Sequence, residues 1–238
     1  MSSPNTKIAI CYWGLTRSTK HVYQTHETHV FDVLKNAGIE FDVFLHTWRT
    51  DQNRVWDWVL DTPLDPDEFR CLCPAAYQID DQNEFLYNIQ FSDYFYEWDR
   101  ENEWSPELLR NHLCALESQK RVVNLCIGSN RKYTHVLFLR PDVRILNNLP
   151  ITELFNGPTN QIVLPDNNHY EGYNDRFAVV AFENVLWYSH RINRAAEFRR
   201  NHGRIVSEKL VKHVVDTHYT PKFVEFRFVL VRSDLSVM

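Results

Sequence analysis

The chain has 238 residues, 44% of them hydrophobic and 14% aromatic, enough apolar material for one sizeable core or two small ones. A net charge of -5, with acids and bases interspersed, argues against a general nucleic-acid binder. No stretch reaches the roughly 18 uninterrupted apolar residues of a membrane span, and Met1-Ser-Ser-Pro-Asn-Thr6 lacks the basic and apolar regions of a secretory leader. The five cysteines, odd in number and irregularly spaced, read as reduced thiols of a cytoplasmic protein.

Lys7 to Tyr12 is an apolar run that predicts a first strand, ending in the loop Trp13-Gly-Leu-Thr-Arg-Ser18. Tyr23, Val30, Leu34 and Ala37 then recur at helical spacing, and Gly38 supplies a C-cap. Glu40 to Trp48 reads as a second strand, so the chain opens with a βαβ unit and a parallel sheet. The first turn has neither Gly-x-Gly-x-x-Gly nor Gly-Lys-Ser/Thr, which removes the main support for dinucleotide and P-loop readings. Arg17 can meet a phosphate there by charge, or be a solvated loop arginine. Residues 49–104 read as irregular, broken by Pro63, Pro66 and Pro74, with a short strand at Tyr77-Gln-Ile79. Asp80-Asp81 is a metal-binding pair or a turn and helix start. Tyr77, Tyr87, Tyr94, Tyr96, Trp98 and Trp104 suit an acceptor-binding lid, since aromatic faces stack on sugar rings, or are packing.

Ser105-Pro106-Glu107 starts a helix with a hydroxyl cap, a proline in the first turn and an acid at the positive end. Leu109, Leu113, Leu116, Val123 and Ile127 form its apolar stripe, closed by Gly128, and Ser118 and Gln119 lie off that stripe, facing ligand or solvent. Val136 to Leu139 is a buried strand running into Arg140-Pro141-Asp142. Proline cannot donate to a ladder, so Asp142 falls at the carboxyl end of a central strand, where open α/β sheets hold their ligands. A carboxylate there can coordinate a divalent cation or a ligand hydroxyl. Residues 143–160 read as a loop with a helical turn, and Gln161 to Leu164 as a brief strand. The polar run from Pro165, containing Asp175 and Arg176, leads into the buried strand Ala178 to Phe182; the Asp-Arg pair is a binding element or a surface ion pair. Glu183 to Asn201 predicts a helix with Arg191, Arg194, Arg199 and Arg200 outward, and Ser207 to Val215 another. Lys222 to Arg232 predicts a late strand whose Arg227 and Arg232 serve a phosphate or protect an edge.

Four segments occur in order: Asp42-Val-Phe-Leu-His-Thr-Trp48, Phe138-Leu-Arg-Pro-Asp-Val143, Gly172-Tyr-Asn-Asp-Arg-Phe-Ala178 and Phe228-Val-Leu-Val-Arg-Ser-Asp234. As a set spanning Lys7 to Asp234, they resemble cytosolic glycosyltransferases of the GT-A type, found in bacterial surface-polysaccharide gene clusters and in large DNA viruses of algae. The resemblance implies a single α/β domain over residues 1–238, a GT-A-like Rossmann-type sandwich with a central mostly parallel sheet flanked by helices, carrying residues 49–104 as an insertion. It implies transfer of a hexosyl or pentosyl group from a nucleotide-sugar donor to an acceptor hydroxyl of a glycan or glycoprotein. GT-A enzymes usually hold Mn²⁺ or Mg²⁺ on an Asp-x-Asp motif. Here Asp142 matches the second acid, as the metal ligand, while Arg140 replaces the first. A guanidinium can itself bind phosphate oxygens in a fork.

The donor-binding set expected from the resemblance and its chemistry is Gly14, Arg17, Thr47, Trp48, Arg140, Asp142, Arg176 and Arg232. An inverting transferase also needs a base, with Asp175 as first candidate and Glu208 as second. His46 lies near the nucleotide or is a hydrogen-bonded strand-end histidine. Two alternatives stand beside this reading: a non-catalytic carbohydrate-binding protein of the same fold, and a sugar nucleotidyltransferase, which the absent glycine-rich run and distal lysine disfavour.

Overall fold

Strand β1 (Lys7–Trp13) is buried from Ile8 onward, as required of a parallel strand covered on both faces. The computed structural model describes residues 6–50, 53–55, 58–60, 64–101 and 104–237, so Pro63 and parts of the 49–104 segment lie outside the described residues. After β1 come helix α1 (Thr19–His26), a π turn (Glu27–Phe31) and α2 (Asp32–Asn36) in one continuous run. Gly38, at φ +67°, closes it in the left-handed conformation that a C-cap glycine supplies. β2 (Glu40–Arg49) returns parallel to β1, completing the expected βαβ unit.

β3 (Asn53–Val55) and β4 (Trp58–Leu60) form a separate antiparallel ribbon, and β5 (Ala76–Asp81) joins β2 in parallel. Then come α3 (Gln82–Asn88), α4 (Glu97–Glu101) and the long α5 (Pro106–Gly128). β6 (His135–Leu139), β7 (Val143–Ile145), α6 (Ile151–Leu154), β8 (Gln161–Pro165) and β9 (Phe177–Ala181) follow. The chain ends through α7 (Val185–Ser189), α8 (Ile192–His202), α9 (Ser207–His218), β10 (Thr220–Val224) and β11 (Phe228–Leu230). The main sheet has seven strands in the order β10-β8-β9-β6-β1-β2-β5, and β9 alone runs against its neighbours. Alternate residues of β1 and β6 feed two cores. Ile8, Ile10, Leu137 and Leu139 pack under the α1–α2 run, while Ala9, Cys11, Val136 and Phe138 meet α5, α7 and α9 on the other face. This is the Rossmann-type α/β sandwich expected, a mostly parallel sheet flanked by helices.

Several local expectations need correction. The late strand Lys222 to Arg232 is two strands in different sheets. Asn147 accepts the Arg227 N–H (2.6 Å) and donates to the Glu225 carbonyl (3.0 Å), bending the chain off β10 so that β11 pairs with β7. β7 itself lies in a segment expected to be loop. The 49–104 segment is not wholly irregular, since β5 extends the main sheet and Asp81 caps α3 by accepting from the N–H groups of Asn83 and Glu84. On α5, Ser118 and Gln119 are buried, and Ile127 of the proposed stripe is exposed while Val122 is buried.

The helix expected over Glu183 to Asn201 breaks between α7 and α8, and Arg191 and Arg199 are buried rather than outward. Arg199 is ion-paired with Asp99 of α4 at 2.8 Å and lies 3.9 Å from the Tyr96 ring centre, so two aromatic-segment residues clamp onto α8. No helix among the described residues is long and apolar enough to cross a membrane, and all five cysteines are free.

The Asp99–Arg199 pair yields a stability prediction. Removing one partner leaves the other charge buried, so Arg199→Ala is expected to lower unfolding free energy by about 3–5 kcal/mol. The double variant Asp99→Leu with Arg199→Met recovers most of that loss in denaturant titration. A single variant as stable as the parent would contradict the buried pair.

Candidate functional site

β1, β2 and β6 are mutually parallel, so their carboxyl ends open on one side of the sheet. The turn after β1 passes through Gly14 at φ +94°, a conformation L side chains rarely adopt. Ser118 of α5 staples this turn to the end of β2. Its hydroxyl oxygen accepts the Gly14 N–H at 2.8 Å and lies 2.7 Å from His46 Nδ1. Burial lowers the His46 pKa to about 4, so the ring is neutral. Its Nε2 is 3.1 Å from the Asp80 carboxylate, which can only accept. Nε2 therefore carries the proton, and Nδ1 accepts from Ser118. His46 is fully buried and is a hydrogen-bonded strand-end histidine.

At the end of β6, Asp142 is fully buried. Arg140 forks onto it, with Nε donating to Oδ1 at 2.8 Å and a terminal nitrogen to Oδ2 at 2.7 Å. Arg17, from the turn after β1, reaches Oδ2 through Nε at 3.2 Å and a terminal nitrogen at 3.1 Å. Burial alone would raise this carboxyl, but the Arg140 and Arg17 charges outweigh it and hold the pKa at about 2. The Asp142 carbonyl accepts the Val231 N–H at 2.9 Å, and Ser18 Oγ donates to the Val231 carbonyl at 2.7 Å. The C-terminal segment is thereby tied beside the site, delivering Arg232. Burial and the charges of Arg17 and Arg140 lower the Arg232 pKa to about 10.

The facing wall is built on a close approach. A Cβ at Gly172 would stand 1.9 Å from the Glu208 carbonyl oxygen, so the loop lies directly against the first turn of α9, and Tyr173 N–H donates to that carbonyl at 3.0 Å. Asn174, fully buried, donates to the Asn167 carbonyl (3.0 Å) and accepts the Arg176 N–H (2.8 Å), which fixes the Asp175-Arg176 turn. Asp175 accepts a hydrogen bond from Ser207 Oγ at 2.5 Å. Burial opposes its ionisation, but Arg176 and the Ser207 hydroxyl hold its pKa below the ordinary range. Burial and the Asp175 charge push Glu208 the other way, up to about 7. Two neighbouring carboxyls are thus set to opposite protonation preferences near neutrality.

A cavity of about 490 Å³ lies between these walls. Gly14, Arg17, Trp48, Arg140, Asp175, Arg176, Glu208 and Arg232 all line it, bringing eight of the ten sequence candidates together. Thr47 is buried and does not line it, and neither does Asp142. The residues around Asp142 do not fit the Mn²⁺ or Mg²⁺ expected there. Both its oxygens already take guanidinium N–H groups, whereas these cations need open oxygen ligands. Among the described residues, no group of three His, Cys, Asp or Glu is arranged to hold a metal.

Ser118, expected to face ligand or solvent, instead ties the Gly14 turn to His46, and the sequence reading missed Asn174 and the contact of Gly172, which also position the site. It also missed His112, which lines the cavity, and gave Trp104 only a place in the possible lid. Each has a buried ring nitrogen without a hydrogen-bond partner. The available signals were a polar Asn111-His112 inside a leucine stripe and the scarcity of glycine, six in the whole chain.

No protein-family model matches the chain, and no curated protein matches it. Among solved structures it is similar to two crystal structures of the glycosyltransferase GlyE from Streptococcus pneumoniae TIGR4, one of them the apo-form. Each is 11% identical over 92% of this chain and 45% of the other, with TM-scores of 0.46 for the apo-form and 0.45 for the second. The chain therefore spans less than half the length of those proteins.

The tight contact at Gly172 predicts a contrast between two glycines. Gly172→Ala forces the first turn of α9 to move and is expected to cost about 1–3 kcal/mol. Gly128→Ala, with nothing within 4 Å of the added methyl, is expected to be neutral or stabilising by up to about 1 kcal/mol. Equal effects of the two in thermal unfolding would contradict the packing described.

Proposed function

We propose that the chain is a nucleotide-sugar-dependent glycosyltransferase of the GT-A type, moving a hexosyl or pentosyl group to an acceptor hydroxyl of a glycan or glycoprotein. One observation carries this reading. Four guanidiniums and a carboxyl pair of opposed protonation preference face a single cavity at the carboxyl ends of parallel strands. Its volume, about 490 Å³, suits a small-molecule site. The transfer needs cationic groups where the leaving diphosphate gathers charge, and arginine forks bind phosphate oxygens from two nitrogens. It also needs a base for the acceptor hydroxyl.

Glu208, rather than Asp175, takes that proton. A base is most effective with a pKa near the working pH, and Glu208 at about 7 meets this condition while Asp175 is held too low. The acceptor oxygen attacks the anomeric carbon, and the bond from that carbon to the diphosphate oxygen breaks. Its electron pair leaves on the diphosphate, and the acceptor proton passes to Glu208. Asp175 stays ionised, and its charge maintains the proton affinity of Glu208. Trp48 borders the cavity with its indole N–H donated to the Cys114 carbonyl at 3.0 Å, a rigid aromatic wall for the nucleoside. The five free cysteines, three of them buried, suit a reducing compartment such as the cytoplasm.

Glu208→Gln is expected to lower kcat by about 10²–10⁴-fold with donor affinity nearly unchanged. The parent rate should rise with pH through about 7, where Glu208 ionises. Asp175→Asn should move that midpoint to lower pH, because a neighbouring negative charge is gone. Wild-type kcat in Glu208→Gln would remove the assignment. Glu208 also leaves a stability signature: its folded pKa lies above the ordinary 4.5, so stability present below pH 4.5 is lost as pH rises through about 7. The Gln variant should flatten that slope.

A further inference from the structure

Resting on the donor reading above, we infer that Arg17, Arg140, Arg176 and Arg232 form a diphosphate cradle that works without a divalent cation, with Asp142 as the buried counter-ion that sets Arg17 and Arg140 in place. The four arginines arrive from four separate segments: the turn after β1, the end of β6, the loop before β9 and the strap after β11. All four line the same cavity. Asp142 lies beneath them, fully buried, with each oxygen receiving guanidinium N–H groups. It is placed to hold arginines apart at fixed angles and has no oxygen turned to the cavity.

Charge bookkeeping favours the same conclusion. Against the four guanidinium charges stand the ionised carboxylates of Asp142 and Asp175, which leaves two positive charges while Glu208 is protonated and one once Glu208 ionises to act as base. The diphosphate of a sugar nucleotide carries two negative charges. A divalent cation would add two more positive charges to a site that already crowds its cations, as the lowered pKa of Arg232 beside Arg17 and Arg140 reflects. Among the described residues, the other carboxyls lining the cavity offer no alternative ligand set. Asp175 is held by Ser207 and Arg176, and Glu208 keeps its proton up to near neutrality. Arg140 spends two of its N–H groups on Asp142, and guanidinium presents five.

Calorimetric titration separates this inference from the donor reading. Inorganic pyrophosphate and the diphosphates UDP, GDP and dTDP are titrated in EDTA and again with Mn²⁺ or Mg²⁺. The expected result is binding of pyrophosphate and one nucleoside diphosphate in EDTA, with Kd unchanged by either cation. Arg176→Gln and Arg232→Gln, both at partly exposed positions, should each weaken binding in EDTA by about 10–100-fold with the melting temperature retained. Binding that appears only with the cation overturns the inference and leaves the donor reading standing. Pyrophosphate binding in EDTA with no nucleotide bound keeps the cradle and removes the donor reading. No binding under either condition overturns both.

Discussion

The buried carboxylate of Asp142 is the constraint around which the site is arranged. An ionised acid with no solvent exposure is costly unless its oxygens are filled, and here two arginines fill them. Because the acid sits at the end of a central strand, satisfying it draws in the turn after β1 through Arg17. Its carbonyl draws in the C-terminal strap through Val231. One layer lower, His26 joins the same region, bridging Tyr12 OH at 2.9 Å and the Val143 carbonyl at 2.7 Å. Burial keeps that imidazole neutral, with its pKa lowered to about 4. The pair also sets an acid limit. The folded pKa of Asp142 lies below its ordinary 3.8, so its stabilisation is present above pH 3.8 and is lost as pH falls through about 2.

Two electrostatic environments then share one cavity. On the strand side, guanidiniums accumulate around an acid that cannot reach the ligand. On the α9 side, burial and the negative charge of Asp175 raise the proton affinity of Glu208. Backbone geometry makes the second arrangement possible, since Gly172 lets the Asp175 loop lie against the first turn of α9. The division suits a reaction in which negative charge develops on one partner and a proton leaves the other. The glycosyl transfer proposed is of that kind.

Much of this architecture was legible in the sequence where local chemistry decides the outcome. Gly38 ends a helix, Ser105 begins one by accepting the Leu108 N–H at 3.1 Å, and Pro141 stops β6 just before Asp142. The arginines of the cavity were also recoverable, because charged residues at strand ends and in polar loops stand out against apolar runs. What stayed hidden depended on distant partners. Arg17 reaches Asp142 across 125 positions, and Arg199 meets Asp99 across 100. Helical periodicity cannot foresee the second pairing, so Arg199 read as outward, and no local pattern brings Arg17 onto Asp142. The division of the last strand turns on one side-chain amide, Asn147, which no strand propensity records. The opposite pKa shifts of Asp175 and Glu208 were equally hidden, because they depend on burial that only the packed loop reveals.

Thermal unfolding in the presence of UDP-, GDP-, dTDP- and ADP-sugars tests the central claim most directly. A ligand that binds only the folded chain stabilises it by mass action, about 2.7 kcal/mol at a hundredfold excess over Kd. For a chain of this size that corresponds to a rise in Tm of roughly 5–10 °C. The account predicts such a rise with the sugars of one nucleotide series. A Tm unmoved by every series would contradict it.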